Sequence, residues 1–140
     1  MKLFLRDYIG ILIHQTDLAF TNYVKKKLAP FNLAPEQNLI MMLLWEKDGL
    51  NQNEIAEKLN KDKTNIARMV FNLEQKRYIR RTCGEDRRSL RVYLTDEGKE
   101  LGNHVIPVAE DFNETVCKGI SNEELKQLRT ILTKMCANVQ

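Results

Sequence analysis

Residues 86–95, Asp-Arg-Arg-Ser-Leu-Arg-Val-Tyr-Leu-Thr, constrain this chain more than any other ten. Leu90, Val92 and Leu94 alternate with Ser89, Arg91 and Tyr93. A period of two marks a strand with one buried and one solvent-facing side. The stretch from Tyr78 to Gly84 can form a shorter partner strand, which makes a β-hairpin with Glu85, Asp86, Arg87 and Arg88 at its tip. A hairpin alone is marginal in water, so other elements must cover its apolar face. A basic tip on such a hairpin points first to nucleic acid.

Everything else reads as helix. Leu3 to Leu28 carries apolar residues near the helical period and is expected to stop before Pro30. A second helix is expected from Pro35, a residue suited to the first helical position, with Ala34 as a weak N-cap. Its run Leu39 to Trp45 is apolar almost all round, which predicts burial, and Asp48-Gly49 should end it. Asn51 and Glu54 have capping-box spacing before a two-turn helix with Ile55, Ala56 and Leu59 inward. After the turn at Asn60-Lys61, Asp62 can cap a further helix that buries Ile66, Met69, Val70 and Leu73 and ends near Arg77. Two short helices around a tight turn, the second polar along its exposed first turns, form a helix-turn-helix pattern. Beyond the hairpin, Thr95 can cap a helix that Pro107 is expected to bend, and Ser121 with Glu124 opens a last one. The fold class is therefore mainly α with a small β-hairpin wing, a winged helix-turn-helix core with helices on either side.

Charge placement agrees with that order. Residues 60–93 hold ten Lys and Arg against four Asp and Glu, a local net of +6, although the whole chain nets only +3. Positive charge gathered in one segment is the footprint of a phosphate-facing surface. On the second short helix the exposed early positions are Lys63, Thr64, Asn65 and Arg68. Asn pairs bidentately with adenine, Arg with guanine, and Thr offers a hydroxyl and a methyl to thymine. Lys63 suits a phosphate, and Gln52 and Asn53 at the preceding helix start can donate to the DNA backbone. Arg87 and Arg88 have the reach for a minor groove, while Asp86 supports the wing by holding an arginine or the turn.

Other classes find little footing. The chain's 140 residues suit one domain, 1–140, and hold no apolar run long enough to span a membrane and no signal-peptide pattern, so a cytoplasmic protein is expected. Cys83, Cys117 and Cys136 lie far apart without a CxxC, and His14 and His104 stand alone, so neither a metal site nor a cofactor is expected. No nucleophile–base–acid set or phosphate loop supports an enzyme. A winged helix serving only protein–protein contact is the alternative reading, and the arginine-rich wing argues against it.

The motifs Asp86, Arg88, Val92, Leu94 and Thr95, then Asp96-Glu97-Gly98, together with Gln52 to Leu59 and Thr64 to Glu74, resemble the MarR family of winged-helix transcription factors over nearly the full length. The resemblance implies a sequence-specific regulator of double-stranded DNA, usually a homodimeric repressor on pseudo-palindromic operators. It places the 35–95 core on DNA, with a reader helix in the major groove and the arginine matching Arg88 in the minor groove. It also implies dimerisation through residues 1–30 and 96–140, and in many members release by a small phenolic or lipophilic ligand. Members that sense peroxide use a cysteine early in the first helix, and this chain has none there. Ala34 stands where the family often has a hydroxyl residue.

The flanking helices also need cover for their own apolar stripes. They can fold back on the core or pair with a second copy, and symmetry favours pairing because it sets two readers on one face of a duplex. Leu5, Ile9, Leu125, Leu128 and Leu132 are the expected dimer contacts. Cys117 and Cys136 read as small buried hydrophobes, with a cross-dimer bond as the alternative. Met41, Met42, Trp45, Tyr8 and Tyr23 read as core, with a ligand pocket as the alternative.

Overall fold

The computed structural model describes residues 1–83 and 90–140. The chain divides into two compact units, Met1–Ile106 and Pro107–Gln140. The first opens with a single 3-10 turn, Leu5–Asp7, then helix α1, Ile9–Leu28. The continuous helix expected from Leu3 is therefore broken at Tyr8, whose backbone is extended at φ −103° and ψ 105°. Tertiary packing usually holds a helix together, and Leu3, Phe4, Leu5 and Tyr8 are all exposed with no side-chain N-cap to compensate. A second 3-10 turn, Ala29–Phe31, carries the chain through Pro30 into left-handed Asn32.

Helix α2, Pro35–Glu46, starts where expected, with Gln37 Oε1 accepting from the Ala34 N–H at 3.2 Å in place of a capping side chain. It ends at Glu46, before Asp48-Gly49. Its expected all-round burial fails on one stripe. Ile40, Met41 and Leu44 are buried, but Leu39 is 44% exposed and Met42 37%. These two stand three apart and so share a face that no described residue of the first unit covers fully.

A strand that the pattern did not announce follows. β1 is only Leu50–Asn51, too short to display a period, and Asn51 also caps the next helix. Helix α3, Gln52–Leu59, is capped by Asn51 Oδ1, which accepts from the Glu54 N–H at 2.8 Å. Helix α4, Lys63–Gln75, is capped by Asp62 Oδ1 on the Asn65 N–H at 2.7 Å. It stops two residues before Arg77 in a Schellman motif. The Tyr78 N–H reaches the Leu73 carbonyl, the Arg77 N–H reaches that of Glu74, and Arg77 takes a left-handed φ of 66°.

Strand β2, Ile79–Cys83, and β3, Leu90–Leu94, pair antiparallel in the register Ile79↔Leu94 to Cys83↔Leu90. β1 adds to the other side of β3 through Leu50↔Val92, which gives the order β1-β3-β2. Asp48 Oδ1 accepts from both the Gly49 and Leu94 N–H groups, locking the turn to the sheet. Val92 and Leu94 are buried as the alternation predicts, among Ile55, Ile66, Val70, Leu73 and Ile79. Each such side chain contributes roughly 1.5–3 kcal/mol when fully buried.

Helix α5, Asp96–Val116, is capped by Thr95 Oγ1 on the Gly98 N–H and runs through Pro107, which leaves the Asn103 carbonyl without its helical N–H donor. Gly98 must be glycine, because a Cβ there would run into the Tyr78 carbonyl. Leu101 and Val105 are buried in the first unit. In the second, α6, Asn122–Val139, opens with the expected capping box, Ser121 and Glu124 each taking the other's N–H. No helix among the described residues is long and apolar enough to cross a membrane.

Candidate nucleic-acid interface

Asp62 and Asn51 start two helices at defined points, and those caps decide which side chains face outward. On the first turns of α4, Lys63, Thr64 and Arg68 are exposed and Asn65 is half-buried. Ile66, Met69, Val70 and Leu73 hold the opposite face in the core, so the polar face cannot rotate away. Arg68 Nη2 donates to Asn65 Oδ1 at 2.7 Å. Asn65 therefore presents its amide N–H groups, and its oxygen keeps one lone pair for a further donor. The two residues form one unit, which their spacing of three allowed but did not announce.

At the start of α3, Asn53 is exposed, whereas Gln52 is half-buried with its Oε1 enclosed and unpartnered among the described residues. The wing's strands are β2, to Cys83, and β3, from Leu90. Asp86, Arg87 and Arg88 lie outside the described residues.

Several polar groups that bear on this surface carried no signal in the sequence because their partners are distant along the chain. Glu74, near the end of α4, takes three hydrogen bonds from Arg81 in β2. The Arg81 backbone N–H reaches Oε2 at 3.1 Å, and Nε and Nη2 reach Oε1 at 3.3 and 2.9 Å. The Arg81 guanidinium foremost holds the Glu74 carboxyl below its ordinary range; partial burial opposes this, and the Arg81 backbone N–H and positive charge add to the lowering. On the other face of the sheet Arg91 Nη1 donates to the Gly49 carbonyl at 2.9 Å, and the Arg80 guanidinium sits 5.0 Å from the centre of the Tyr93 ring. Gly49, at φ 79°, leaves room for that ring. Behind α4, Lys76 Nζ donates to the Asn32 carbonyl and Gln37 Oε1, and desolvation lowers its pKa.

Away from this surface, Leu5 and Ile9 are exposed in the first unit. In the second, Leu128 and Leu132 are exposed and Leu125 is half-buried. No group of His, Cys, Asp and Glu among the described residues is arranged to hold a metal ion.

The sequence profile of the MarR family matches residues 33–90, which hold α2, β1, the two-helix reader and β2 and end on the first residue of β3. Over 132 residues the chain is 30% identical to the organic hydroperoxide resistance transcriptional regulator of Bacillus subtilis (strain 168), covering 91% of this chain and 86% of that protein. The chain belongs to the MarR family. This MarR protein is a winged-helix DNA-binding transcriptional regulator, and solved structures agree along almost its whole length. A MarR regulator from Methanosarcina mazei Go1 is 29% identical, with a TM-score of 0.82 over 94% of this chain and 96% of that one. S. aureus MepR, solved as a complex with DNA, is 26% identical, with a TM-score of 0.87 over 95% and 97% of the two chains.

Proposed function

We propose that this MarR protein is a cytoplasmic homodimeric repressor that binds a pseudo-palindromic duplex and is released by a small phenolic or lipophilic ligand. In this reading residues 35–95 read the DNA and residues 1–30 and 96–140 join two copies. Lys63, Thr64, Asn65 and Arg68 enter the major groove, Gln52 and Asn53 face the backbone, and Arg88 enters the minor groove beside Arg87, with Asp86 supporting the wing. Its role is regulatory and not catalytic. One observation carries the reading: the exposed first turns of α4 carry Lys63, Thr64 and Arg68, held outward by the Asp62 cap and a buried apolar face.

The dimer is supported by the exposed apolar side chains Leu5, Ile9, Leu128 and Leu132, which a second copy would cover. The test begins by selecting duplexes from a random pool with the wild-type protein and measuring affinity against salt. Affinity should fall steeply as salt rises, because bound phosphates release condensed counterions. Arg68→Ala should relax base preference at about 1–3 kcal/mol per lost base contact, and Lys63→Ala should weaken all sequences alike and lower the salt slope by about one. Failure to select any preferred sequence would overturn the reading.

A further inference from the structure

We propose that Glu74 is a positioning residue for DNA recognition: it fixes the wing against the reader helix while touching no DNA. The inference rests on the winged-helix reading above, and its geometry is independent of that reading. Only Lys76, Arg77 and Tyr78 separate α4 from β2. At the base of the sheet the Thr95 N–H donates to the Tyr78 carbonyl and Thr95 Oγ1 donates to that of Arg77. Farther along the strand, Glu74 gathers the three Arg81 donors, so one carboxylate holds both the backbone and the guanidinium of a single strand residue.

β2 is an edge of the sheet, and Glu74 accepts a backbone N–H there, leaving that donor satisfied without another strand. The two side chains are only 28% and 29% exposed, so the pair is screened less than a free surface ion pair. Its place is mechanically favourable. Glu74 lies one turn beyond the core residues Met69 and Val70 on α4, and Arg81 lies two residues before the last residue of β2. A small rotation of β2 about its base therefore becomes a larger displacement at Cys83, the last residue of the strand. A protein that must address two neighbouring grooves at once cannot tolerate that displacement. Glutamine keeps the shape but has one oxygen acceptor where glutamate has two, and alanine removes both.

The experiment compares wild type, Glu74→Gln and Glu74→Ala in two measurements. The first is hydrogen exchange at the Arg81 amide in the DNA-free protein, where Glu74→Ala should exchange about tenfold faster or more and Glu74→Gln should lie between it and wild type. The second is affinity for a duplex selected from a random pool by the wild-type protein, alone and combined with Arg88→Ala. Glu74→Ala should lose about tenfold, and the double variant should lose less than the product of the two single losses, because both changes act on the same wing contact. Unchanged exchange at Arg81, wild-type affinity in Glu74→Ala, or losses that multiply fully would each overturn the proposal. Should Glu74→Ala fail to fold, the isosteric Glu74→Gln carries both measurements. A wild-type protein that selects no duplex defeats the DNA-reading model and this proposal with it, whereas a selective wild type with an indifferent Glu74→Ala defeats this proposal alone.

Discussion

Helices α4 and α6 are both amphipathic and both properly capped, yet they dispose of their apolar side chains in opposite ways. α4 buries Ile66, Met69, Val70 and Leu73 inside its own unit. α6 buries none of its 18 residues, and α1 buries only Leu28 of its 20. Local sequence rules made and capped both α4 and α6, so the difference between these two does not lie in capping. It lies in whether the chain supplies a surface for the stripe to meet. The reader core is complete by itself, because α3, α4 and the sheet cover one another. The terminal helices keep apolar faces that only another surface can cover, which is the physical content of the proposed dimer.

That contrast can be broken most directly at Ile66. Truncating this fully buried residue to alanine should cost about 3–4 kcal/mol in chemical denaturation, since it leaves a cavity under the reader helix. A loss below about 1 kcal/mol would mean that the core is not closed as described. Leu128, 47% exposed, should answer differently. Leu128→Glu should leave the core's unfolding nearly unchanged but raise the dimer dissociation constant by about tenfold or more in sedimentation, an effect of roughly 1.4 kcal/mol or above. Identical sedimentation of variant and wild type would remove α6 from the interface.

Arg77 sharpens the comparison from inside the core. It holds a left-handed conformation that glycine adopts without strain, so Arg77→Gly should raise stability by about 0.5–1 kcal/mol in the same denaturation assay. A loss would show that the Arg77 side chain contributes more than its backbone costs. The smallest effect concerns pH. Ionised Glu74 is favoured by the fold, so its folded pKa lies below the ordinary value of 4.5. Its stabilising contribution is complete above that ordinary value and disappears as pH falls through the lower folded value. Glu74→Gln should therefore be less stable than wild type at neutral pH and converge with it on acidification. A gap that stays constant with pH would rule out the charge as its source.

Much of this was legible beforehand for identifiable reasons. Asp62, Asn51, Thr95 and Ser121 cap as their spacing suggests, because a cap is a contact within four residues. The alternation of Leu90, Val92 and Leu94 forecast the inward face of β3 for the same local reason. Where reading failed, the deciding partner was distant or absent. β1 exists only because Val92 and Arg91 offer it a strand to join. The first turns of the expected long helix leave their apolar side chains exposed, and the backbone is extended at Tyr8. Leu39 and Met42 looked like core because composition does not say which side of a helix will be covered.

The sequence by itself determined the order of the main helices and the two hairpin strands, the caps at Asn51, Asp62, Thr95 and Ser121, the polar face of the reader helix and the family. These follow from periodicity and from interactions spanning a few residues, which short stretches specify. Tertiary structure alone decided that Glu74 clamps Arg81 and that the Tyr78 carbonyl requires glycine at position 98. Those outcomes depend on angles and distances between side chains or across elements, to a fraction of the length of one side chain. No pattern of residue types along a chain encodes that precision until the core has closed.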